Sequence, residues 1–68
     1  MEEEHIGTRI RRLRKAKNIS QTLLSYRTGI HCSDLSRLEL GHVRAWPSYL
    51  PRIARALNVN LDQLVSNG

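Results

Sequence analysis

The side chains with chemistry to offer crowd into one stretch, Ser20 to Gly41, which reads SQTLLSYRTGIHCSDLSRLELG. His31 and Cys32 are its only nucleophile and base side by side. Adjacent residues on a helix do not face each other, and nothing nearby supplies an oxyanion donor, so catalysis finds no footing. His5, His31, Cys32 and His42 lack any recognisable metal-ligand spacing. What remains is a set of hydrogen-bonding groups. Leu35 and Leu38 stand three apart and share an inward face, which turns Cys32, Ser33, Ser36 and Arg37 outward. A guanidinium such as that of Arg37 can bond bidentately to guanine O6 and N7, for about 1–3 kcal/mol of discrimination against a wrong base. A phosphate contact or a plain surface Arg is the competing reading of Arg37. The Ser33 hydroxyl can donate or accept. Asp34 can accept from cytosine N4, but an acid beside a wall of phosphates is costly. Its better use is at the helix start, three residues after an N-cap at His31, bonding back to the backbone as in a capping box.

Two short helices must position these groups. Ser20 is a good N-cap for the first, which runs from about Gln21 to Thr28 with Leu24 inward. Gly29 can take a positive φ and turn the chain sharply. The second runs from about Cys32 to Leu40, and Gly41 ends it. Two helices of about two turns joined by a turn of three to four residues holding a Gly make a helix-turn-helix, whose second helix is shaped to enter a DNA major groove. Gln21 opens the first helix, where free N–H groups and the positive dipole end suit a phosphate.

The totals agree with a polyanion as partner. The 68 residues make one domain, which buries only about 60% of its unfolded surface and gains roughly 3–5 kcal/mol from its core. That leaves hardly any room for a deep catalytic cleft. The formal net charge is +5, and three of the six acids, Glu2, Glu3 and Glu4, sit in one N-terminal run. The body therefore carries Asp34, Glu39 and Asp62 against all eleven Lys and Arg, which favours nucleic acid over an acidic protein or membrane surface. A single cysteine, Cys32, allows no internal disulfide and fits a reducing cytosol. No apolar run approaches a membrane span, and the acidic start lacks the pattern of a signal peptide, so a cytoplasmic protein is expected.

Taken in order, residues 1–5 are expected to be a flexible acidic lead, 6–65 the domain and 66–68 a tail. The spacing predicts helix 1 over Ile6 to Lys17, with Ile6, Ile10 and Leu13 as its core stripe and Asn18 as its left-handed stop. Six basic residues fall between Arg9 and Lys17 with no acid among them, and a solvated face is the plain reading of most. The connection His42 to Pro47 can lie along a DNA backbone, with His42 and Arg44 in reach of phosphates and Trp46 packed over the domain edge. Helix 4 is predicted from Tyr49 to Leu57, tolerating Pro51 in its first turn, with Leu50, Ile53, Ala54 and Leu57 inward. Asn60 and Gln63 form a second capping pattern for a short helix 5, whose Leu61, Leu64 and Val65 close the core.

Ser20-Gln21-x-x-Leu24, then Gly29-Ile30, then Leu35-Ser36-x-Leu38-Glu39-x-Gly41 resembles the Cro/repressor-type (XRE family) helix-turn-helix domain, and the resemblance extends from about Ile6 to Val65. It implies an all-α, compact five-helix lambda-repressor-like fold. It also implies a buried structural ion pair of Arg14 with Glu39, base contact from the position of Ser33, and a sugar-phosphate contact from the Gln21 side chain. Thr28 and Leu23 exchange the usual apolar and polar positions, which suggests a weaker helix 2 core and a surface Leu23. Leu40 replaces a common Asn, and His31 caps where Ser or Thr is usual.

The expected function is sequence-specific binding of double-stranded DNA by a transcriptional regulator, with repression the leading outcome. Cys32, Ser33 and Arg37 would meet bases, while Gln21, Ser36, His42, Arg44, Lys17 and Arg12 would meet the backbone. Roughly 4–6 phosphate contacts per subunit follow, each lowering the log–log salt slope by about 0.9. One subunit reads few base pairs, so a weak homodimer, formed on DNA or through a patch near Leu61 to Val65, is expected on an inverted repeat with half-sites about 34–36 Å apart. No dimerisation segment follows Val65, so either DNA drives the pairing or the chain is part of something longer. No cofactor is implied. The alternative is an interaction module of the same fold, an antitoxin or a regulator's partner, favoured by Leu23, Trp46 and the His31–Cys32 helix start. A further possibility is that Cys32, at a helix N-terminus in a basic setting, switches binding off when oxidised; a small residue that merely fits is the simpler reading.

Overall fold

The computed structural model describes residues 5–43 and 46–65, and all helices below lie within these. Five helices follow one another: α1 (Ile6–Ala16), α2 (Gln21–Thr28), α3 (Cys32–Leu40), α4 (Tyr49–Leu57) and α5 (Leu61–Val65). Among the described residues there is no strand, and no helix is long and apolar enough to cross a membrane. The acidic run Glu2 to Glu4, Arg44 and the 66–68 tail lie outside the described residues.

The junctions between helices are set by local chemistry. Asn18, Gly41 and Asn58 all have positive φ, and the residue after each donates its N–H to a carbonyl five positions back: Ile19 to Arg14, His42 to Arg37, Val59 to Ala54. These are Schellman closures, which satisfy carbonyls that a helix end would leave orphaned. The turn between α2 and α3 is fastened differently. Gly29 is left-handed, and Thr28 Oγ1 donates to Leu24 O at 2.8 Å while accepting from Ile30 N at 3.2 Å. Ser25 Oγ donates to Ile30 O as well. Thr28 is thus a buried polar residue with its bonds made, and the helix it closes is not weakened by an unpaired hydroxyl.

Each helix sends at least one fully buried side chain inward: Ile10, Leu24, Leu35, Ile53 with Leu57, and Leu64. Truncating one of them to Ala would cost about 2–5 kcal/mol, as much as a core this small supplies. Ile19 and Ile30, both in turns, are buried too, and Leu23 packs half-buried against the core instead of lying on the surface. α1 rests on α3 and α5, and α2 lies against α3 and α4.

Two expectations need correcting. The buried face of α1 is wider than the stripe of Ile6, Ile10 and Leu13, of which Ile10 is fully buried and Ile6 and Leu13 are partly buried and packed against the core. It runs through Gly7, Ile10 and Arg14, because Gly7 lets α1 settle directly on α3. A Cβ on Gly7 would stand 1.9 Å from the Leu38 carbonyl oxygen. In α5, Leu64 alone is buried, while Leu61 and Val65 are 43% and 52% exposed. A five-residue helix can turn only one side to the core.

Candidate nucleic-acid interface

α3 begins at His31, whose Nδ1 accepts the Ser33 backbone N–H at 3.1 Å and lies 2.8 Å from Ser33 Oγ. The imidazole therefore supplies the acceptor that a Ser or Asp gives most helices. Asp34 plays a smaller part than expected. Among the described residues its carboxylate makes no bond back to the His31 N–H, so the ring caps the helix without the reciprocal half of a capping box. Its backbone N–H donates to His31 O at 3.0 Å.

Leu35 and Leu38 face the core, and Ser33 and Arg37 are exposed, one turn apart. Cys32 and Ser36 are half-buried at the flanks of that outer face, Cys32 as a free thiol. Arg37 extends from a helix whose far end is closed by its own carbonyl, which accepts from His42 N at 2.8 Å.

Glu39 anchors α3 from behind. Arg14 Nε donates to Glu39 Oε2 at 2.8 Å and Arg14 Nη2 to Oε1 at 2.9 Å, so the pair is bidentate, and Nη1 donates to Ile19 O at 2.9 Å. The residues are 8% and 5% exposed, so water has little access to the pair. The hydrogen bond to Glu39, against the opposing effect of burial, raises the Arg14 pKa above its ordinary value. A raised pKa keeps the Arg14 guanidinium charged through the neutral and alkaline range, and the stabilisation linked to its charge is lost only above the ordinary arginine range.

Gln21 joins this cluster, its Nε2 donating to Glu39 Oε1 at 3.3 Å. Its amide is therefore partly engaged by the clamp. One N–H and the carbonyl remain for a second partner. Gln21 and Ser36 line the same cleft between α1 and α3. Lys17 and Arg12 are exposed on and just past α1, away from that cleft, and His42 is exposed beyond α3. Trp46 is 60% exposed and, with Asp34, Leu38, Val43 and Tyr49, lines a notch of about 90 Å³ at the edge of α3. Among the described residues no three His, Cys, Asp or Glu gather as metal ligands would.

Three residues matter here that the pattern of the sequence did not single out. His5, grouped with the acidic lead, is the N-cap of α1: its Nδ1 accepts Thr8 N–H at 3.3 Å, and its ring comes within 3.2 Å of where a Cβ on Gly41 would stand. Gly7 sets the distance between α1 and α3. Arg9 is buried and donates from Nη1 to Leu64 O at 3.1 Å, tying α1 to α5. The His5–x–x–Thr8 spacing was a usable signal, being the same kind of cap as His31; nothing in a run of six cations distinguishes Arg9.

A family profile described as a helix-turn-helix domain matches residues 5–66. The chain is 34% identical over 65 residues to an "uncharacterized transcriptional regulator in ATPase CF(0) region" of Rhodospirillum rubrum, covering 96% of this chain and 60% of that protein. Among solved structures, the crystal structure of the restriction-modification controller protein C.AhdI from Aeromonas hydrophila superposes with a TM-score of 0.84 at 30% identity, over 87% of this chain and 89% of that one.

Proposed function

Because this chain belongs to the Cro/repressor-type (XRE) helix-turn-helix family, we propose that it is a sequence-specific reader of double-stranded DNA that regulates transcription, with repression the outcome where it covers a promoter. The observation that carries this reading is the division of α3. Leu35, Leu38 and Glu39 hold it in the core, while Ser33 and Arg37 project from its first turns into solvent. That is the presentation a recognition helix needs in a major groove.

In this reading Arg37, Ser33 and Cys32 meet base edges, Ser36, Gln21 and His42 meet the backbone, and cations of α1 add to the backbone contacts. Arg44 belongs to the same set by sequence. Leu61 and Val65, exposed side by side on α5, supply a small apolar patch for a weak two-fold dimer, so that two copies of α3 address an inverted repeat. The reading makes the protein a non-enzymatic one acting in the cytoplasm, where such DNA lies.

Selection of bound duplexes from a random pool at moderate salt tests it. An enriched inverted repeat is expected, with half-sites about one helical turn apart, roughly 34–36 Å. Retained duplex without common sequence would reduce the protein to a backbone binder. No retained duplex would favour a second reading, a protein-interaction module of the same fold, for which Tyr26 at 85% exposure and the exposed Trp46 and Leu40 offer apolar contact area.

A further inference from the structure

The basic side chains of α1 have different fates. Arg14 is consumed by Glu39, and Arg9 turns inward to Leu64 O. Arg11 and Lys15 are four residues apart, share one side of the helix, and are exposed with no hydrogen-bond or ion-pair partner among the described residues. Both line a cleft of about 350 Å³ between α1, the start of α2 and α3. Ser36 and Leu40, also four apart, form its opposite wall, and Gln21 lies at the α2 end. Glu39 borders the cleft too, but Arg14 bonds both of its carboxylate oxygens, so its charge is cancelled where it stands. The two cations of Arg11 and Lys15 are left to set the potential.

Ser33, Ser36, Arg37 and Leu40 recur at i, i+3, i+4 and i+7 on α3, so the wall of the cleft continues the outer face of the helix. A duplex that received Ser33 and Arg37 in its groove would bring a backbone strand along this wall. We infer that the cleft is a seat for one DNA phosphodiester, held by the Arg11 guanidinium and the Lys15 ammonium. The Ser36 hydroxyl and the remaining Gln21 N–H donate to it, and exposed Leu40 meets the apolar face of the adjoining deoxyribose. This assigns the α1 contribution to Arg11 and Lys15 in place of Arg12 and Lys17, neither of which lines the cleft. The inference rests on the DNA-reading function proposed above.

The test compares the salt dependence of duplex binding for the wild type, the Arg11→Gln/Lys15→Gln variant and the Arg12→Gln/Lys17→Gln variant. Removing two phosphate contacts should lower the magnitude of the log–log slope by about 1.8 per subunit in the cleft variant, equally on every sequence, and by less in the other. An unchanged slope in the cleft variant, or an equal fall in both, overturns the seat while leaving DNA reading in place. A wild type that retains no duplex overturns the DNA reading and the seat with it. Should the double variant fail to fold, Arg11→Gln and Lys15→Gln singly are each expected to lose about 0.9 of slope, with Lys15→Arg retaining it. Inorganic phosphate at constant ionic strength should not compete with duplex; specific competition would assign the cleft to the free anion and overturn the DNA assignment.

Discussion

The two faces of α3 are built to opposite rules. The inner face has Leu35 fully buried, Leu38 nearly so and Glu39 locked bidentately to Arg14, with α1 pressed close enough at Gly7 that a methyl group has no space. On the outer face, Ser33 and Arg37 are exposed, and only the cap fixes Ser33. Nine residues thus separate what keeps the domain folded from what it offers a partner. The lesson is that a helix this short can specify without being stable in its own right, provided every group behind it is satisfied.

The separation can be broken most severely at Glu39. Glu39→Ala leaves the Arg14 guanidinium buried and unpaired, at a cost of about 3–5 kcal/mol. That is most of what a domain of this size possesses, and urea unfolding should show a largely unfolded population without denaturant. Gly7→Ala attacks the same face through shape alone. The new methyl meets the Leu38 carbonyl, and overpacking of about 1–3 kcal/mol should appear as a lower urea midpoint with unchanged m-value.

On the outer face the effect should move from stability to recognition. Arg37→Ala is expected to change stability by less than about 0.5 kcal/mol. It should also remove about 1–3 kcal/mol of preference at one base pair per half-site, read from competition with singly substituted duplexes. A uniform loss over all sequences would make Arg37 a backbone contact. The smallest effect belongs to the cap between the faces: His31→Ala should cost about 0.5–2 kcal/mol in a thermal melt, and His31→Asn should recover most of it.

What the sequence made legible follows the range of the forces involved. Helix ends were readable because Ser20, Gly29, Gly41 and Asn58 act through bonds to their own neighbours, and each stands at a helix boundary. The inward positions Leu24, Leu35, Leu38, Ile53 and Leu57 were readable from periodicity, and they are buried. Periodicity says nothing of turns, so the burial of Ile19 and Ile30 was invisible to it. It also treats a Gly as a blank and an Arg as solvent-facing. Gly7 and Arg9 are inside because of partners more than thirty residues away in one case and 55 in the other, a separation no local pattern encodes. The Arg14–Glu39 pair, 25 residues apart, was reachable only through family resemblance. Local spacing also overstated α5, where three apolar residues in five compete for one buried side.

Two helices in this domain begin on a histidine, and the two rings end in different electronic situations. A backbone N–H can only donate, so the Ser33 and Thr8 amides each require an unprotonated Nδ1, which places the ring proton of a neutral His31 or His5 on Nε2. In His5 that proton has a taker, Thr8 Oγ1 at 2.8 Å. In His31 it has none among the described residues, so the cap of the recognition helix carries an unspent N–H donor of fixed tautomer in an exposed ring. Whatever approaches the tip of α3 meets that donor with its direction already chosen by the fold.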